Sequence, residues 1–212
     1  MGASLAGKFG TPLRPRVSTR PTPTFQTKPD PFYRAAMAYT PDRLLARLGE
    51  LGIPYTNHRH PPLFTVADSK ALRGTLPGGH CKSLFLKGKR GELYLVVALE
   101  DRAIDLKRLR KTLGTGSLSF GGPELLFEIL GVRPGAVTPF GLVNDTERKV
   151  AVVLDSAMLA RDPLNYHPLT NDMTTAVPSQ GLLAFIAACG HVPRVLDFDA
   201  PDDAASEPKP AG

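Results

Sequence analysis

Between residues 40 and 51, Leu44, Leu45, Leu48 and Leu51 recur at intervals of three and four, the spacing that gives a helix one apolar face. Thr40-Pro41-Asp42 ahead of them supplies an N-cap, a proline at the first helical position and an acid in the first turn, and Gly49 or Gly52 ends the helix. Residues 53–59 read as a strand stopped by Pro61-Pro62, and Thr65 starts a short helix to about Leu72. Two strong strand patterns follow, His80 to Lys87 and Glu92 to Leu99, joined as a hairpin through Gly88-Lys89-Arg90-Gly91. A basic helix is predicted over Asp105–Leu113, closed by Gly114, and another over 124–130, opened by Gly122-Pro123 and closed by Gly131. Lys149–Leu154 reads as a buried strand, Ser179–Ala188 as a helix ended by Gly190, and Arg194–Phe198 as a last short strand. Helices and strands interleave without a regular βαβ period. The expected fold class is therefore α/β in the mixed α+β sense: one domain, its mixed, mostly antiparallel sheet surrounded by helices.

The distribution of charge refines the domain plan. The net charge of +6 is concentrated in residues 1–36, where Lys8, Arg14, Arg16, Arg20, Lys28 and Arg34 face Asp30 alone. That segment has six prolines and no hydrophobic period, so it is expected to be a disordered basic extension, dispensable for catalysis. Its Arg-bearing, acid-poor composition is shared with transit peptides, although its prolines oppose a targeting helix, and translation from Met37 is a further reading. The globular domain is placed at 37–200 and a disordered tail at 201–212. No apolar run approaches the roughly 18 residues of a membrane span, and no secretory leader pattern is visible, so a cytoplasmic protein without membrane contact is expected. Two cysteines, Cys81 and Cys189, provide neither a disulfide framework nor a thiolate zinc site.

Familiar catalytic signatures are scarce. Strand alternation sets His80, Lys82, Leu84 and Leu86 on one face and Cys81, Ser83 and Phe85 on the other, which makes Cys81 a packed thiol rather than a nucleophile. His58 and His60 could point the same way from a strand, but no third ligand at a recognisable spacing accompanies them, so no metal site is expected. No phosphate-binding loop is present. Two loops stand out. Residues 131–141 are dense in glycine and proline and could offer backbone groups to a ligand at close range. Residues 165–175 concentrate hydrogen-bonding side chains with no helical period.

Taken with Lys82, these loops resemble the YbaK/ProX-type aminoacyl-tRNA deacylases, relatives of the editing domain of prolyl-tRNA synthetases. The resemblance runs through His60-Pro61-Pro62-Leu63-Phe64, Pro77 to Lys87, Ala103 to Lys107 and Leu118 to Gly121. It continues through the Gly-x-x-x-Pro loop Gly135-Ala136-Val137-Thr138-Pro139, then Phe140 to Thr146, then Asn165 to Asp172, and spans about residues 40–198 in order. Within the family the pattern is most similar to the alanine-specific branch, ProXp-ala, except that Ser83 stands where that branch usually has Asn.

The resemblance implies the YbaK/aminoacyl-tRNA synthetase-associated domain fold and hydrolysis of the ester of mischarged tRNA(Pro), Ala-tRNA(Pro) first. Alternatives are a Cys- or Ser-tRNA deacylase, a non-catalytic tRNA- or synthetase-binding module and, last, a Cys-dependent hydrolase. The implied catalytic residues are Lys82, Gly135 and His167. Ser83, Ala136, Val137, Thr138, Pro139, Asn144, Asn171, Asp172 and Thr174 are implied to bind the substrate. Lys87, Lys89, Arg102, Lys107, Arg108, Arg110 and Lys111 are the cations expected to meet the tRNA. The implied partners are the tRNA(Pro) acceptor end and prolyl-tRNA synthetase, with no cofactor. Editing of this kind is needed because missing methylenes give a synthetase pocket only about 1–3 kcal/mol of discrimination each.

Overall fold

The computed structural model describes residues 38–62 and 76–200. The predicted helix at 65–72, the N-terminal extension and the C-terminal tail lie outside them. The described elements are α1 (Pro41–Glu50), β1 (Thr56–Arg59), β2 (Gly79–Gly88), β3 (Leu93–Leu99), α2 (Leu106–Leu113), β4 (Leu118–Phe120) and α3 (Pro123–Leu130). A 3-10 helix (Pro139–Asn144), β5 (Val150–Asp155), α4 (Ser156–Leu159), β6 (Leu164–Tyr166), β7 (Met173–Val177), α5 (Ser179–Ala188) and β8 (Arg194–Leu196) complete them.

The strands form one eight-stranded mixed sheet in the order β1-β7-β6-β2-β3-β5-β8, with β4 also on β2. Pairs β1–β7, β6–β7, β2–β3 and β2–β4 are antiparallel; β2–β6, β3–β5 and β5–β8 are parallel. This mixed sheet with helices around it, in a single domain, is the architecture the element pattern predicted. Strand β2 is its axis, paired with β3 over Cys81–Lys87 on one edge. On its other edge it meets β6 at Gly79 and His80 and β4 from Leu86 to Gly88.

The two faces of β2 bury different things. Phe85, with Cys81 beside it, belongs to the main core, where Leu95, Val97, Leu154 and Tyr166 of the sheet pack on Leu44 and Leu48 of α1, Leu130 of α3 and Phe185 of α5. Leu86, with Leu84, belongs to a smaller core under α2, with Tyr94, Val96, Leu109 and Val153. The helix ends follow their sequence signals. Thr40 Oγ1 accepts from Arg43 N, Asp105 accepts from the amides of Lys107 and Arg108, and Gly114 and Gly131 close α2 and α3 in the left-handed conformation.

Several expectations are corrected. The first strand begins at Thr56 rather than 53, because Ile53 N still bonds Leu48 O in the turn closing α1. The segment 165–175 is not all loop. Leu164–Tyr166 and Met173–Val177 pair as β6 and β7, and only residues between them turn. The glycine- and proline-rich stretch is shorter than expected because a 3-10 helix starts at Pro139, with Thr138 Oγ1 accepting from Phe140 N. β4 and α4 had no clear sequence signal.

Candidate active site

The β6–β7 hairpin assembles most of the polar residues singled out above. Register sets His58 opposite Thr174 and His80 beside Asn165. Carried on by one residue, the β2–β6 register sets Cys81 level with Tyr166 on the main-core side, where Cys81 Sγ donates to the Gly79 carbonyl and the Tyr166 hydroxyl to Met158 Sδ. Lys82 follows on the opposite face of β2, the face that His167 takes just beyond the end of β6. The same extension of β6–β7 sets His167 level with Thr174. His58, Thr174 and His167 thus form one row, and Lys82 lies on the same sheet face, away from the main core.

Hydrogen bonds fix the chemistry of this row. His167 Nδ1 lies 3.0 Å from the Met173 carbonyl. A carbonyl only accepts, so in the neutral ring Nδ1 carries the proton and Nε2 remains an acceptor. Burial lowers the His167 pKa, the nearby His60 adds to this, and the Met173 carbonyl partly opposes it. The imidazole is therefore neutral at pH 7. His60 is held likewise: Nδ1 faces the Pro61 carbonyl at 2.8 Å, and Nε2 lies 3.0 Å from Thr174 Oγ1, whose hydroxyl donates to it. The two imidazoles are 6.4 Å apart between centroids. The His60 amide also donates to the Asp172 carbonyl, which ties the hairpin turn to the end of β1.

Gly135 stands beyond that turn. A Cβ placed on it would come no nearer than 4.0 Å to anything, and what it would meet is Asn171 Nδ2, so the Gly-x-x-x-Pro loop and the β6–β7 turn are neighbours. Its φ of +90° is a conformation L side chains rarely adopt, which explains glycine at an exposed and uncrowded position. Ala136, Thr138 and Pro139 are buried and Val137 packs on the main core. The loop therefore shows its backbone, not its side chains. Asp172 accepts from Thr170 Oγ1 at 2.6 Å within the turn.

The remaining candidates are placed as follows. Lys82 shares the face of Leu84 and Leu86, as strand alternation predicted, and its ammonium donates to the Arg102 carbonyl. Ser83 lies on the other face, half-buried, between the stretches of β2 that pair with β6 and with β4. Asn144 is not brought to the row. Its Oδ1 accepts from Tyr39 N and its Nδ2 donates to Leu130 O, so it clamps the lead-in to α1 onto the end of α3. Among the cations, Arg102 is committed to ion pairs with buried Asp155 and with Asp199, and Arg108 reaches the Phe198 carbonyl. Arg110 bonds the Gly116 carbonyl but stays exposed, as do Lys87, Lys89, Lys107 and Lys111.

A cleft of about 450 Å³ adjoins the row at the start of β2, with Gly78, His80, Glu100, Asp101, Arg161 and Asp162 among its walls. Gly78 is required there, since a Cβ would lie 2.2 Å from the Pro163 carbonyl oxygen. Glu100 faces His80 across the strand pair and its charge acts on His167. Cys81 offers no nucleophile, because burial pushes its thiol up to about 12. Sequence reasoning left out His60 as a member of this cluster. The His-x-His spacing of His58 and His60 was visible, but their partner Thr174 lies on a strand that was read as loop.

Residues 60–185 match the family model of the aminoacyl-tRNA editing domain. The mouse protein named "Prolyl-tRNA synthetase associated domain-containing protein 1" is 40% identical over 158 residues, 72% of this chain and 93% of that protein. The "Prolyl-tRNA editing protein ProX" of Acetoanaerobium sticklandii is 34% identical over 156 residues, 73% of this chain and 95% of that protein. The fold is similar to that of a solved structure titled "Crystal structure of a putative trans-editing enzyme for prolyl tRNA synthetase", with a TM-score of 0.57 at 21% identity, covering 81% of this chain and 98% of that one.

Proposed function

The chain belongs to the aminoacyl-tRNA editing domain family, and from that premise we propose that it is a trans-editing deacylase that hydrolyses the ester of mischarged tRNA(Pro), with Ala-tRNA(Pro) as its principal substrate. The observation that carries this reading is the His60–Thr174–His167 cluster on the β6–β7 hairpin, with Lys82 on the same sheet face and the Gly135 loop beside the hairpin turn. It combines a cation, a neutral imidazole with a free acceptor nitrogen and an exposed backbone loop.

The chemistry asked of these groups is modest, because an aminoacyl ester is already activated. Water attacks the ester carbonyl, the carbon–oxygen bond to the ribose breaks, and the water's proton passes to the departing ribose oxygen. Lys82 holds the terminal phosphate or ribose as a point charge. His167 Nε2 accepts a hydrogen bond from the attacking water and so fixes its approach. Backbone groups of Gly135–Pro139 orient the aminoacyl carbonyl and stabilise the charge that develops on its oxygen. The buried loop side chains close the site around a small amino acid. The raised pKa of Cys81 supports a water mechanism over a thiol one.

The test is a deacylation panel of Ala-, Ser-, Cys- and Pro-tRNA(Pro) with the purified protein. The alanyl ester should be hydrolysed fastest and the prolyl ester spared. Preference for the cysteinyl or seryl ester would move the substrate within the family, and no hydrolysis of any ester would leave a binding module.

A further inference from the structure

Phe120 is 65% exposed, belongs to neither core, and ends the short edge strand β4. A single exposed aromatic carries no message on its own. Its setting does. Phe120 pairs with Leu86, so it lies on the same sheet face as Leu86, Leu84 and Lys82. Leu86 is four residues along β2 from Lys82, which sets Phe120 one strand over and about 13 Å along the sheet from the candidate site at about 3.3 Å per residue.

Its backbone is held in place. Gly121 N donates to the Phe85 carbonyl, and a Cβ on Gly121 would lie 2.4 Å from the Phe85 ring, so the chain after Phe120 passes tightly over β2. Exposed cations share its side of the sheet. Lys89 packs its stem against Gly116, just before β4, and Lys107, Arg110 and Lys111 project from α2, which covers the same sheet face; Lys87, opposite Ser119, points to the other face. Arg110 also ties α2 to the segment leading into β4. An aromatic face among cations, on a fixed backbone, is what an unpaired nucleobase and its phosphates require. A protein partner docking on an apolar patch would be poorly served by the cations of α2 on the same face.

We propose that Phe120 is the stacking platform for a base in the unpaired 3′ segment of the RNA, and that the phosphates on either side run past Lys89 and the exposed face of α2. The inference rests on the deacylase reading for the orientation of the strand, with its esterified end at Lys82 and His167.

The test uses two fluorescent RNA hairpins in anisotropy titrations at low salt, one with an unpaired 3′ end and one blunt. Phe120→Ala should weaken binding of the first about tenfold, near the low end for loss of one stacked base, and leave the blunt hairpin unchanged. Phe120→Trp should keep the affinity. Because the chain contains no tryptophan, the emission of this variant should be quenched as the 3′-extended hairpin is added. Unchanged binding in Phe120→Ala, equal loss on both hairpins, unquenched Phe120→Trp emission while RNA binds, or a wild-type protein that binds neither hairpin would each overturn the proposal. Hydrolysis of alanyl-adenosine, which has no RNA chain to stack, tests the deacylase reading separately. Its failure alongside aromatic-dependent binding would sink the catalytic reading and leave the platform standing.

Discussion

Replacing Lys82 by alanine should separate its binding role from its structural one. In the folded protein its ammonium donates to the Arg102 carbonyl from a half-buried position. Water can replace that donor, so the loss should cost about 1 kcal/mol of stability, an ordinary net hydrogen bond. If the same ammonium grips the 3′-terminal nucleotide, alanine also removes a charge-assisted contact of about 1.5–3 kcal/mol. At 1.36 kcal/mol per decade, single-turnover deacylation should then fall roughly 10- to 150-fold. The control lies one residue away. Cys81 faces the main core with its thiol pushed up to about 12, so Cys81→Ser should alter turnover by no more than about twofold, since no thiolate is there to lose. Rates on labelled aminoacyl-tRNA and thermal melts of both variants complete the measurement. If Cys81→Ser abolishes turnover while Lys82→Ala leaves it intact, the water mechanism is wrong and a thiol takes its place. A melting-temperature loss in Lys82→Ala far beyond one hydrogen bond would make the lysine a structural residue.

Other consequences are equally open to measurement. Gly135→Ala should lower deacylation tenfold or more through about 1–3 kcal/mol of backbone strain at its φ of +90°, with no steric clash since its Cβ comes no nearer than 4.0 Å to Asn171 Nδ2; an unaffected rate would show that this conformation is irrelevant to catalysis. The acid limb of the pH–rate profile should fall below the ordinary histidine value of about 6.5 and vanish in His167→Gln, since burial lowers that pKa. Stability follows with its own sign. Below about pH 6.5 the unfolded chain binds a proton at His167 that the folded one refuses, so the free energy of unfolding should decline as pH falls until the lowered folded pKa is passed. Urea titrations at pH 7.5 and 5 should show that decline in the wild type and less of it in His167→Gln, and an identical slope in both would refute the assignment.

Elements whose signal is local were legible in the sequence. α1 with its Thr40 cap, the β2–β3 hairpin and α2 between Asp105 and Gly114 all carry their instructions within about a dozen residues. β6 and β7 were missed because three- and five-residue strands show too few alternations, and their polar positions mark a row on one sheet face. The separation of Lys82 from Cys81 could be read from period two alone. The neighbourhood of β2 and β6 could not, since it depends on a parallel pairing across more than eighty residues. Asn144 shows the opposite failure. A polar residue in a matching stretch looked like a ligand-binding group, yet both ends of its amide hold backbone that only the folded chain brings near.

The pairing of β1 with β7 also sets a schedule. His60 and Thr174 touch across 114 positions of chain, and Thr56 waits for Ala176. Such long-range closure comes late in folding, after the β2–β3 hairpin and the local helices have formed. On the ribosome, the early part of the domain can collapse around β2 and β3 while its eventual sheet neighbours are still unmade. A chain interrupted between β5 and β7 would keep the β2–β3–β5 part of its apolar core but lack Phe185 and the strand that completes the histidine cluster. The histidine cluster is completed in one late step, so a half-made copy carries no half of it.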